Sequence, residues 1–99
     1  MLNTTKKIEN RILTISLDGR LDSTTVPFFE EELRSMFQGL NGIVFDLTNL
    51  EYVSSAGLRI FLKAQKYINN VVIKNPQKAV VDVFNLTGFD KMLNIQYDN

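Results

Sequence analysis

Leu13, Ile15 and Leu17 alternate with Thr14 and Ser16, a period of two that predicts a strand with one buried face. Residues 8–11 are expected as an edge strand ahead of it, and Gly19 as its end. Ser23, Thr24 and Thr25 then offer N-cap hydroxyls before Pro27, whose fixed φ and missing N–H suit a first helical turn. From Phe29 the apolar positions recur at three and four residues, through Leu33, Met36, Phe37 and Leu40, while Glu30, Glu31 and Glu32 sit towards the positive end of the dipole. This predicts a helix laid over a sheet and closed by Asn41-Gly42.

Ile43-Val44-Phe45 leading to Asp46-Leu47 is a short unbroken apolar run, expected as a central strand buried on both faces, with a loop over residues 48–53 after it. A second helix is predicted to about Ile68, with Gly57, Leu58, Phe61, Leu62, Ala64 and Ile68 on one broad face and Arg59, Lys63, Lys66 and Asn70 on the other. Val71-Val72-Ile73 reads as the next strand, Val80, Val83 and Phe84 as a third helix stopped by Gly88, and Leu93, Ile95 and Tyr97 as a final strand. Two strands followed by alternating helices and strands give an α/β fold: one domain over residues 1–99, with a mixed central sheet of about four to five strands, right-handed crossovers and covering helices.

Composition narrows the function. Eleven basic and eleven acidic side chains cancel, which leaves no broad electrostatic footprint for nucleic acid or an anionic membrane. Neither a signal-peptide core nor an apolar run of membrane-spanning length occurs, so a cytoplasmic protein without direct membrane insertion is expected. The chain has no cysteine and no histidine, which excludes Ser-His-Asp and Cys-His centres and leaves only all-oxygen metal sites. No Gly-rich phosphate loop is present, and no metal or cofactor is expected.

The stretch from Asp46 to Arg59 joins a predicted strand to a predicted helix, the place where open α/β sheets carry their sites. The first N–H groups of a helix lack intrahelical partners and its dipole is positive there, so an anion is tolerated. Extending the phase of Leu58, Phe61 and Ile68 backwards at about 100° per residue turns Ser54 towards the apolar face, as a cap, and Ser55 towards solvent, one turn before Arg59. A phosphate on Ser55 would add about −1.5 to −2 charges on a surface open to a partner.

Gly19-Arg20-Leu21-Asp22, the strand Ile43-Val44-Phe45-Asp46-Leu47, the segment Tyr52-Val53-Ser54-Ser55-Ala56-Gly57-Leu58 and the late Thr87-Gly88-Phe89 occur in the order of the landmarks of STAS-domain anti-sigma factor antagonists, and the chain resembles that family over nearly its whole length. The resemblance implies a non-enzymatic switch. An anti-sigma factor with serine kinase activity phosphorylates the serine two residues before the Gly-Leu pair, here Ser55, and a serine phosphatase reverses it. The unmodified antagonist sequesters the anti-sigma factor and frees a sigma factor. On this resemblance Asp22, Thr24, Asp46, Ser54, Ser55, Ala56, Gly57, Leu58 and Arg59 form the partner-binding set, with Ser54 the runner-up as acceptor. Three residues depart from the common pattern: Ser54 stands where Asp is frequent, Ala56 where Ser or Thr is frequent, and Arg20 where Glu is frequent.

Plainer roles compete at each position. Serine is a preferred N-cap residue, Asp22 and Thr24 sit where a helix start needs capping, Asp46 reads equally as a strand-end residue bonding loop amides, and Arg59, Lys63 and Lys66 form a solvated helix face. A receiver domain with Asp46 as phosphoacceptor is disfavoured, because only Asp18 and Asp22 follow the first long strand and a divalent cation needs several oxygen ligands. A STAS module serving as a transporter-associated or scaffolding subunit, without a phospho-switch, stays open.

Overall fold

A computed structural model describes residues 1–98; the last residue of the expected 1–99 domain lies outside the described residues. In chain order the elements are β1 (Leu2–Glu9), β2 (Ile12–Leu21), α1 (Val26–Arg34), β3 (Gly42–Val53), α2 (Ser55–Tyr67), β4 (Asn70–Lys74), α3 (Lys78–Thr87), a 3-10 turn (Phe89–Lys91) and β5 (Asn94–Gln96). The five strands form one sheet in the order β1-β2-β3-β4-β5, with β1 antiparallel to β2 and all other neighbours parallel. Each crossover steps the same way across the sheet, so right-handedness puts α1, α2 and α3 on one face.

That topology decides which side of each strand is buried. Leu13, Ile15 and Leu17 of β2, Ile43, Phe45 and Leu47 of β3, and Val71 and Ile73 of β4 face the helices and are buried. Thr14, Ser16, Val44, Asp46, Val72 and Lys74 alternate with them on the open face and are half-buried. The expectation that β3 is buried on both faces is therefore corrected: a parallel sheet has two covered faces only when its crossovers run in both directions. A chain of ring contacts ties the layers together. Phe29 of α1 meets Phe45 at 6.4 Å, Phe45 meets Phe61 of α2 at 4.8 Å, and Phe61 meets Phe84 of α3 at 6.5 Å. Among the described residues no polar side chain is fully buried.

Four boundaries differ from the sequence expectation. The edge strand is Leu2–Glu9, and Asn10 and Arg11 make the hairpin turn with φ of 54° and 64°, the left-handed pair that matches strand twist. Strand β2 runs through Gly19, which adopts φ of 118° beside a register shift; a Cβ there would lie 2.2 Å from the Met1 carbonyl oxygen. Helix α1 stops at Arg34 instead of Leu40, where Ser35 Oγ donates to the Glu32 carbonyl at 2.9 Å and competes with helix continuation. Met36, Phe37 and Leu40 still pack on the core from the following turn, so their spacing imitates a longer helix.

The expected loop over residues 48–53 is the second half of β3. Two register shifts against β2 insert extra residues in β3, and across them Leu50 and Val53 stay buried while Thr48, Asn49 and Glu51 are exposed. Bulges break the strict alternation by which a strand is read from sequence.

Candidate functional site

Helix α2 begins where β3 ends. Ser54 is its N-cap, in extended conformation (φ −91°, ψ 170°), and its Oγ accepts a hydrogen bond from Gly57 N at 3.1 Å. Ser54 N donates to the Leu21 carbonyl at 2.9 Å, which pins the helix start to the end of β2. The helix lies so close to the sheet that a Cβ on Gly57 would sit 2.9 Å from both Leu21 Cγ and Val53 Cγ2. Leu58 is fully buried. Gly57 and Leu58 thus offer no exposed side chain; they set the height and phase of the helix. That phase leaves Ser55 and Arg59 exposed, with Ala56 half-buried.

The turn from β2 to α1 lies next to this start, because Leu21 and Val53 are register partners. Asp22 Oδ1 accepts from Thr24 N at 3.0 Å, Thr24 Oγ1 at 2.7 Å and Thr25 N at 3.2 Å. Thr25 Oγ1 accepts from Asp22 N at 2.9 Å and donates to the Arg20 carbonyl at 2.9 Å. The Thr24 hydroxyl holds the Asp22 carboxyl below its ordinary range, outweighing desolvation, with the Thr24 and Thr25 amides and the Arg20 charge assisting. Asp22 is ionised at neutral pH and organises the start of α1 as an Asx-type cap.

Arg20 completes the corner. Its guanidinium carbon lies 4.4 Å from the centroid of the Tyr52 ring, its register partner on β3, and its Nε lies 3.6 Å from Asp22 Oδ2. The sequence showed Arg20 as a departure from a family pattern but not its seat on Tyr52, which depends on the register shift between Gly19 and Arg20. The structure therefore brings together Asp22, Thr24, Ser54, Ser55, Ala56 and Arg59, over Gly57 and Leu58. It does not bring Asp46 there. Asp46 lies seven residues before the end of β3, about 20 Å away at about 3.3 Å per residue. It is on the open face, where its Oδ1 accepts from Thr48 N at 3.1 Å and Thr48 Oγ1 at 2.6 Å and holds the bulge.

Among the described residues no group of acidic side chains is disposed to hold a metal ion, and no helix is long and apolar enough to cross a membrane. The site presents the exposed Ser55 hydroxyl on a hydrogen-bonded shelf, with Asp22 and Arg20 in the adjoining turn. Comparison with known proteins bears on what such a shelf serves: a model of the STAS domain matches residues 3–98. The chain belongs to the STAS domain family. Among curated relatives, an anti-sigma-B factor antagonist of Staphylococcus epidermidis is 30% identical and the alignment covers 82% of this chain and 80% of that protein. One of Staphylococcus aureus is 28% identical over 95% of this chain and 92% of its own length. This STAS domain is thereby placed in the anti-sigma factor antagonist family, whose name describes binding and not catalysis.

Solved structures agree on the fold. An anti-sigma factor antagonist from Mycobacterium paratuberculosis superposes with a TM-score of 0.88 at 21% identity, covering 100% of this chain and 87% of the other. The antagonist SpoIIAA in its unphosphorylated form gives 0.85 at 17% identity, covering 98% and 89%. The Bacillus cell fate determinant SpoIIAA in its phosphorylated form gives 0.75 at 15% identity, covering 100% and 92%. The family fold thus includes the single-faced five-stranded sheet on which the Ser54–Ser55 shelf is built.

Proposed function

We propose that this STAS domain antagonises an anti-sigma factor by partner switching, with Ser55 as the residue that a partner kinase phosphorylates. The observation that carries this reading is the division of labour between two adjacent serines. Ser54 Oγ is occupied as the cap of α2, while Ser55, the next residue, is exposed at the first helical position. A hydroxyl there is open to an incoming kinase, and the phosphate formed sits at the positive end of a helix, so the modification need not unfold the site.

Unmodified, the shelf docks on the anti-sigma factor and keeps it from a sigma factor. Phosphorylation transfers the terminal phosphoryl group of ATP to Ser55 Oγ, with loss of the hydroxyl proton and release of ADP. The resulting dianion opposes docking on an apolar or acidic partner surface. Hydrolysis by a phosphatase returns the serine and releases inorganic phosphate. ATP is the kinase's substrate; the antagonist contributes the acceptor and the surface around it.

The test is a reconstitution with the cognate anti-sigma factor and ATP. Wild type becomes phosphorylated and loses affinity; Ser55→Ala binds but takes no phosphate; Ser55→Asp binds at least tenfold more weakly, about 1.4 kcal/mol. Full labelling of Ser55→Ala by the kinase shows the acceptor to be another residue. Equal binding by phosphorylated and unmodified wild type removes the switch.

A further inference from the structure

Arg59 stands four residues after Ser55 on the same exposed side of α2. Side chains four apart on a helix are neighbours, their Cβ atoms about 5–6 Å apart, and an anion N-terminal to a cation is the favourable order. Unlike the other cations near the shelf, Arg59 is uncommitted. Arg20 rests on Tyr52 and Asp22, and Lys63 is paired with Glu30 at 2.6 Å. None of the ion pairs among the described residues includes Arg59. Lys66 is eleven residues beyond Ser55, about 16 Å along the helix.

We propose that Arg59 is the intramolecular counter-ion of phosphorylated Ser55, so that modification withdraws a cation from the docking surface as it adds an anion. This rests on the reading of Ser55 given above and adds a residue that executes it. The guanidinium fork matches a phosphate in bidentate geometry, and one helical turn is within its reach. In the unmodified chain Arg59 is free to meet an acidic group of the partner; after phosphoryl transfer it folds back along α2. The partner then faces a dianion and has lost the cation it had paired with.

Two consequences separate this from a plain repulsion switch. The pair ties the first residue of α2 to its second turn, so the phosphorylated chain gains helix stability that a variant without Arg59 does not. A cation beside the phosphate also favours its dianionic form, so the second ionisation of the phosphoserine, about 6 when unperturbed, moves down. Asp22 and Arg20 face the same corner from β2 and its turn, and Tyr52 from β3; they are present in every variant compared.

The experiment installs phosphoserine at position 55 by genetic code expansion, which needs no kinase, in wild type, Arg59→Gln, Arg59→Lys and Lys63→Gln. Phosphorus NMR titration then reads the phosphate directly. The expected result is an ionisation a few tenths of a unit lower in wild type than in Arg59→Gln, with Arg59→Lys between them and Lys63→Gln like wild type. Binding of the anti-sigma factor is measured in parallel: Arg59→Gln lowers affinity of the unmodified chain several-fold and narrows the ratio between unmodified and phosphorylated forms. Identical titrations in wild type and Arg59→Gln overturn the counter-ion assignment, whatever the kinase does. Failure of the cognate kinase to label Ser55 overturns the partner-switching reading instead, and the titration still decides the pair.

Discussion

Replacing Gly57 by alanine adds one methyl group at the narrowest point between α2 and the sheet. The new carbon would lie 2.9 Å from Leu21 Cγ, 2.9 Å from Val53 Cγ2 and 3.0 Å from Leu21 Cδ2, all well inside van der Waals contact. Leu21 and Val53 are at most 1% exposed, so neither can swing away into solvent. The helix must rise or the two side chains must leave their rotamers, and overpacking of this kind costs about 1–3 kcal/mol. One effect opposes it. Alanine favours a helix interior over glycine by about 1 kcal/mol, and Gly57 has no left-handed φ that a side chain would strain. The net expectation is a loss of about 1 kcal/mol, a fall in melting temperature of about 4–8 °C for a domain of this size. Urea unfolding with a lower midpoint and an unchanged slope would measure it. In a Leu21→Val background the methyl should cost less, because the space it invades has been enlarged; a double-mutant cycle then gives a coupling of about 0.5 kcal/mol or more. A Gly57→Ala protein as stable as wild type or more so would mean that helix propensity outweighs the contact, and the close approach would no longer explain the glycine.

Two further outcomes follow from the geometry at the helix starts. Ser54→Ala removes the acceptor for Gly57 N and should cost about 1 kcal/mol, whereas Ser54→Asp keeps a capping oxygen and should restore most of it; thermal melts of the pair decide whether the hydroxyl works as a cap. Asp22 has a folded-state pKa below the model-compound value of 3.8, so its contribution is present above that value and disappears as pH falls through the lower folded value. Asp22→Asn should therefore melt below wild type at neutral pH, with the gap closing under acid conditions below about pH 4; a gap that persists there would assign the loss to packing or hydrogen bonding in place of charge.

Much of this protein was legible as pattern. The alternation of Leu13, Ile15 and Leu17, the three-and-four spacing along α2 and the Gly88 stop place strand, helix and boundary correctly because each depends on neighbours within one or two turns. The placement of the two serines follows from the same kind of information: helix phase, extended backwards from buried Leu58 and Phe61, makes Ser54 the cap and leaves Ser55 exposed, as the structure has them. What sequence could not supply were quantities set by distant partners. The second half of β3 looked like a loop because its bulges exist only relative to β2. The open face of the sheet depends on the direction of three successive crossovers, and a strand's own residues do not encode that direction. The seat of Arg20 on Tyr52, the retreat of Asp46 from the shelf and the need for glycine at position 57 all arise from register and interlayer distance. Local periodicity is set by the geometry of one element, and register and layer spacing by the packing of several; the sequence determined the first, and the tertiary structure alone decided the second.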